Sequence, residues 1–439
     1  MLRHWASYTL LVLCLMLCLM LPVYAEAASV TVVKTIGTTG TFSTLQLWED
    51  GAPANLTTAE KSACGTFLVA AFAQGESLTF VGSGATGKFL DTDSTGAGNG
   101  TYVTYGITAG DPATSDVVTG VTSGATCVLT SGIADNVGVI WQGQAQNQEF
   151  VSAGNILFIN GSTVSSTAYK ELTTVAGASF ADHANKLTNP LRYDATKGAA
   201  IRVTNASTNA VDFAENFARI SKLQIATTGA LSIAFLSGNG PIVDRCLFEA
   251  DHTGAGANVG VLALRGSIAT IKNTLVIQRA SGADHVVGTD TTSVSFFNTT
   301  FVAPDDLATA PTRVILSGAS GAVNCTNCGL FAGDSTKAIF AGSATPTFTT
   351  SYSDISGTTG VTQTTYSSEF ENVNDATRDF RLKTGAAQIN TGTTDATNAP
   401  TDIVGTTRPQ GASYDVGVWE FTAAAGGGNR SQLLLGVGQ

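Results

Sequence analysis

The chain has 439 residues and a formal net charge of −11, which argues against a nucleic-acid partner, because backbone binding needs a basic face. Charged residues are only 13% of the chain, about half the usual share, which excludes a fold of many exposed, ion-paired helices. Abundant Gly, Thr, Ser and Ala point instead to short strands joined by tight turns.

Residues 1–25 read as a secretory signal peptide. Arg3 and His4 precede an apolar run from Leu10 to Val23, followed by YAEAA with small residues for cleavage. A retained membrane anchor is the weaker alternative, since the run is short for a span and holds Pro22 near its end. The expectation is a secreted or cell-surface protein with no transmembrane anchor after cleavage.

Residues 26–75 read as an N-terminal cap. A strand over Val30–Val33 leads into GTFSTLQLW, where Phe42, Leu45 and Trp48 share one helical face. A second short helix is predicted from Thr57, because Thr57-Thr58-Ala59-Glu60 forms a capping box. Residues 76–135 carry short alternating strands between Gly turns, as a small inserted antiparallel β-module would. Asp91-Thr92-Asp93 hints at calcium, but the twelfth position is Tyr102 rather than Glu, so it is not an EF-hand loop. No other cofactor is expected, and no metal site.

Cys14 and Cys18 leave with the signal, and Cys64, Cys127, Cys246, Cys325 and Cys328 remain. An odd, scattered set is not a disulfide framework. Cys325 and Cys328 have CxxC spacing without a second pair, and on a strand positions i and i+3 point to opposite faces. They are expected as small buried side chains.

From residue 215 to 360 one phrase recurs: ISKLQI, IVDRCLF, ATIKNTLV, VSFFNTTF, VNCTNCGLF and FTTSYSDI. Apolar residues stand two apart around one polar slot, taken as Lys222, Arg245, Asn273, Asn298, Asn327 and Ser351. The steps of 23, 28, 25, 29 and 24 residues between them are a solenoid signature with one strong strand per coil. Stacking then places like residues about 4.8 Å apart, so that Asn273, Asn298 and Asn327 form a ladder. Asp244 falls over Lys272 one coil along. The fold class predicted for 136–421 is therefore an all-β, right-handed parallel β-helix. Residues 422–439 read as a flexible Gly-rich tail.

The phrases resemble right-handed parallel β-helix proteins of the pectate-lyase-like superfamily. The resemblance is strongest over Asp379-Phe380-Arg381-Leu382, Ala387-Gln388-Ile389-Asn390-Thr391-Gly392, Asp402, Arg408 and Tyr414-Asp415-Val416-Gly417-Val418-Trp419-Glu420. This is similar to the segment that finishes the last coils in secreted members, and implies Asp402 and Arg408 as partners there, with Trp419 covering exposed core. Residues 76–135 also resemble small β-modules of tailed-phage proteins.

Every histidine after the signal follows Ala-Asp, at Asp182-His183, Asp251-His252 and Asp284-His285. Turn-forming Asp with a solvated His explains such pairs without chemistry. The functional alternative is one lateral binding face made by Asp251, His252, Asp284, His285, Arg245 and Lys272. No catalytic residue is assigned. Calcium-assisted lyases need carboxylates with a basic residue, and hydrolases need paired acids, yet acids are few in the repeats. The leading expectation is a non-enzymatic binding or structural protein meeting a glycan or cell-surface polymer. A polysaccharide lyase or hydrolase is the alternative, and a phage-derived, trimeric host-recognition component the third.

Overall fold

A computed structural model of the chain describes residues 29–69, 71–92, 102–182, 190–204, 209–228, 234–251, 260–265, 268–280, 283–290, 293–307, 309–318 and 321–422. Residues 57–139 form one compact unit, and the described residues on either side, from Thr31, form the other. The predicted signal peptide, His183, His252 and the predicted tail from 423 lie outside the described residues.

The larger unit is a parallel β-helix. Sheet I has nine strands: β1 (Val30–Ile36), β8 (Val139–Ala145), then 170–174, 219–221, 242–244, 268–272, 293–297, 322–326 and 345–349. Sheet II also has nine, at 149–152, 200–203, 224–227, 247–250, 275–278, 300–302, 329–331, 351–353 and 361–363. Sheet III has seven, at 157–159, 211–213, 234–236, 262–264, 285–289, 313–317 and 338–342. Asp244 pairs in register with Lys272, as the repeat predicts.

A tight corner joins sheet I to sheet II in each repeated coil. Its first residue is Lys222, Arg245, Asn273, Asn298, Asn327 or Thr350, with φ between 47° and 62°. Asn tolerates this left-handed region better than most side chains, which is why it recurs here. The corners also stack: the amides of Arg245, Asn273 and Asn298 donate to Lys272, Phe297 and Thr326 carbonyls at 3.1, 2.9 and 2.9 Å. The last slot is Thr350 rather than Ser351, which belongs to the next column. There the Cys328 amide donates to Ser351 Oγ at 3.4 Å.

The same corner corrects the opposite-face expectation for the CxxC pair. The bend at Asn327 turns Cys328 inward, so both Cys325 and Cys328 are buried and unbridged. Burial and the neighbouring Cys328 thiol push the Cys325 thiol well above the ordinary range. The Asn ladder is partial. Asn327 Nδ2 donates to Asn298 Oδ1 at 3.3 Å, while Asn273 Nδ2 turns to Asp244 Oδ1 at 3.2 Å.

Helix α1 (Leu45–Asp50) caps the first coils, with Thr44 Oγ1 accepting from the Leu47 amide. Leu45 and Trp48 are buried, and Trp141 Nε1 donates to the Trp48 carbonyl at 3.0 Å. The helix predicted from Thr57 does not form. Ala59–Val69 is strand β2, because pairing with strands on both sides outweighs a local capping signal.

The smaller unit is a closed antiparallel barrel. Its strands are β2, β3 (Ser77–Val81), β4 (Thr86–Thr92), β5 (Tyr102–Ala109), β6 (Val117–Gly120) and β7 (Thr126–Val137), in the order β2-β5-β4-β3-β6-β7. It starts upstream of the predicted 76–135. A disulfide joins Cys64 to Cys127, although cysteine parity gave no reason to pair them.

The C-terminal segment does not finish the last coils. It folds back over sheet II, where Leu275, Ile277, Val302 and Phe331 pack against Phe370, Phe380, Val416 and Trp419. Trp419 thus covers apolar surface, on the flank rather than at the end. Arg408 pairs with Glu420 at 3.0 Å, not with Asp402, whose carboxylate accepts the Val404, Thr406 and Glu420 amides instead.

Candidate functional site

Of the six residues expected on one lateral face, the five that are described are distributed over three. Arg245 and Lys272 belong to sheet I and its corner. Asp251 follows a sheet II strand, and Asp284 with His285 opens a sheet III strand. His252 is outside the described residues.

Asp251 is engaged by Arg279 at 2.8 Å, and Arg279 also holds Asp375 at 2.6 Å. Asp284 accepts from Arg313 at 2.8 Å and from Thr312 Oγ1 at 2.7 Å. Its carboxyl sits below the ordinary range because those bonds and His285 outweigh burial. The His285 ring is buried in the space beside Gly260 and Gly288, where a Cβ would come within 2.5 and 2.8 Å of it. Burial lowers its pKa despite the neighbouring Asp284. A neutral, packed imidazole explains two glycines better than it explains catalysis.

Sheet I presents a different surface. Apart from Thr173, its outward side chains stay half-buried to exposed, in contrast to the covered flank of sheet II. Successive coils place Glu171 beside Arg219, and Ser221, Asp244 and Lys272 in line. Gln142 Nε2 donates to Glu171 at 2.8 Å, and the Arg219 guanidinium lies 3.7 Å over the Tyr169 ring. Such a row offers polar groups about 4.8 Å apart along a fixed line.

Acids gather elsewhere. A cleft of about 330 Å³ is lined by Asp305, Asp334 and Asp354 with Gln363, Thr364 and Tyr366. Asp305 and Asp334 each stand three residues past a sheet II strand in consecutive coils. Burial pushes Asp354 up to about 6, and burial with neighbouring Asp306 raises Asp305. Asp334 is lowered by bonds from Thr336. Environments that separate carboxyl pKa values in this way permit one to hold a proton while another stays ionised. Aligning FVAPD with LFAGD would have found the pair, since the loop after sheet II repeats as the strands do. The expectation weighed only acids close to the recurring phrase.

Sequence reasoning also passed over Lys170. It is buried, with Glu49 at 2.6 Å, Glu215 at 2.9 Å and the Asn160 carbonyl at 2.6 Å. Glu215 is raised by burial, against the pull of Lys170. This cluster fastens α1 to the first coils. Among the described residues no group of three or more His, Cys, Asp or Glu side chains is arranged to hold a metal ion, and no helix is long and apolar enough to cross a membrane. No family model, curated protein or solved structure matches this chain.

Proposed function

We propose that this is an exported, non-enzymatic β-helix protein that binds a glycan or another cell-surface polymer along the outward flank of sheet I. The observation that carries the reading is the uncovered row Ser221, Asp244 and Lys272, with Arg219 in the adjacent row on the same face, rigidly spaced by strand pairing. A repeating polymer meets such a row as repeated, evenly placed hydrogen-bond groups. The Cys64–Cys127 disulfide supports export, because such bonds persist in oxidising compartments. Kinship with the pectate-lyase-like superfamily belongs to the same proposal, supported by the three parallel sheets.

A glycan array probed with the mature chain is the test. Replacing Arg219 and Lys272 together by Ala should weaken binding of any captured polymer at least tenfold, with unfolding unchanged. Normal binding by that variant, or no captured polymer at all, would end the proposal.

The acidic cleft favours a second reading, acid–base hydrolysis of the polymer with Asp354 protonated and Asp334 ionised. Reducing-end and unsaturated-product assays on each bound polymer separate the two. Turnover that disappears in Asp354→Asn would replace the binding-only reading.

A further inference from the structure

The barrel unit is written twice. Ser83-Gly84-Ala85-Thr86 recurs as Ser123-Gly124-Ala125-Thr126, a shift of 40 residues (83 to 123). The backbone repeats with it. Gly75 and Ser115 have φ of 70° and 80°, and Gly84 and Gly124 have 76° and 67°. The Gly84 amide donates to the Phe80 carbonyl and Gly124 to Gly120, both at 3.0 Å. Phe89 donates to Glu76 at 3.0 Å and Leu129 to Asp116 at 2.9 Å. Exchanging β2 with β5, β3 with β6 and β4 with β7 leaves the cyclic strand order unchanged.

The two halves also clasp each other reciprocally. Glu76 accepts from the Thr122 and Ser123 amides, both at 2.9 Å, and from Ser123 Oγ at 2.7 Å. Asp116 accepts from the Ser83 amide at 2.9 Å and from Ser83 Oγ at 2.5 Å. Each acid keeps one bond in its own half, from Ala73 and from Ala113. Burial opposes ionisation of both, but the bonds from Ser123 and Ser83 outweigh it, and both sit below the ordinary carboxylate range. A contact in which i meets j while j meets i is isologous, the pattern of a two-fold dimer.

We propose that residues 57–139 are a tandem duplication of one unit, and that the pairing face of each copy is a docking surface for any second copy of that unit. In the intact chain that partner is the other half of the barrel; where one half is removed, the partner it fits is the same half of a second chain. A lone copy leaves strand edges open and its acid without the serine turn that answers it, and a second chain supplies both. Cys64–Cys127 stands outside the symmetry, since the matched positions hold Thr104 and Gly87. The pairing face is defined without it.

Three experiments test this, each a change made within the otherwise complete chain. Replacing residues 113–126 with the sequence of 73–86 should leave the barrel amides protected from hydrogen exchange; an exposed barrel overturns the equivalence. Deleting 102–137 in a Cys64→Ser background should double the mass seen by light scattering, and a monomer overturns the docking surface. Glu76→Gln should speed exchange at Thr122 and Ser123 about tenfold, and Asp116→Asn at Ser83. An effect confined to the mutated half overturns the reciprocity.

Discussion

Single buried charges decide much of the local energetics. Lys170 has no water to fall back on, so its two glutamates and the Asn160 carbonyl supply all of its solvation. Lys170→Met should cost roughly 3–5 kcal/mol in denaturant unfolding, because two buried carboxylates lose their counter-charge. Adding Glu49→Gln and Glu215→Gln should recover most of that loss. Asp354 acts in the opposite sense. Its folded pKa of about 6 lies above the ordinary Asp value of 3.8, so the folded state keeps a proton that the unfolded chain releases first. Stability contributed at low pH is therefore lost as pH rises through that window. Asp354→Asn keeps an acceptor for the Ala332 amide. It should be more stable than the parent by roughly 1–2 kcal/mol at pH 7.5, with the gap closing near pH 4. Lys170 gave no sign in sequence, since a Lys among Tyr169, Glu171 and Leu172 looks like any solvated strand residue.

At the scale of the element, the corner between sheets I and II carries the fold. The polar slot in the repeated phrase was readable because only certain side chains accept a left-handed backbone, and Asn is prominent among them. Asn298 stands at φ 47°, donates to the Asp415 carbonyl at 3.1 Å and accepts from Asn327. Asn298→Val should therefore cost about 3 kcal/mol, from backbone strain together with lost hydrogen bonds. Asn298→Gly should cost less, because glycine keeps the turn; denaturant midpoints give the comparison. The same corner shows where pattern reading stops. The rule that i and i+3 face opposite ways holds for a straight strand, and Cys325 and Cys328 lie on either side of the corner at Asn327. The capping box at Thr57 failed for a related reason, since the strands that claim Ala59–Val69 lie far along the chain.

For the whole molecule, covalent closure and flank coverage matter most. Reducing Cys64–Cys127 frees a loop with a sequence separation of 63, which should lower the stability of the barrel unit by about 4 kcal/mol. Thermal unfolding with and without reductant, followed by hydrogen exchange of the barrel amides, measures it. Coverage explains why the candidate face dispersed. Coils of unequal length carry Asp251 and Asp284 to different sheets, and the returning C-terminal segment seals one flank. The sequence by itself determined the parallel coils, their corner residues and the apolar alternation, because strand pairing and backbone conformation are set within each repeat. Which flank is buried, which acids share a cleft and which cysteines bond were decided by the tertiary structure. Those contacts join residues whose separation follows no period, so no local pattern encodes them.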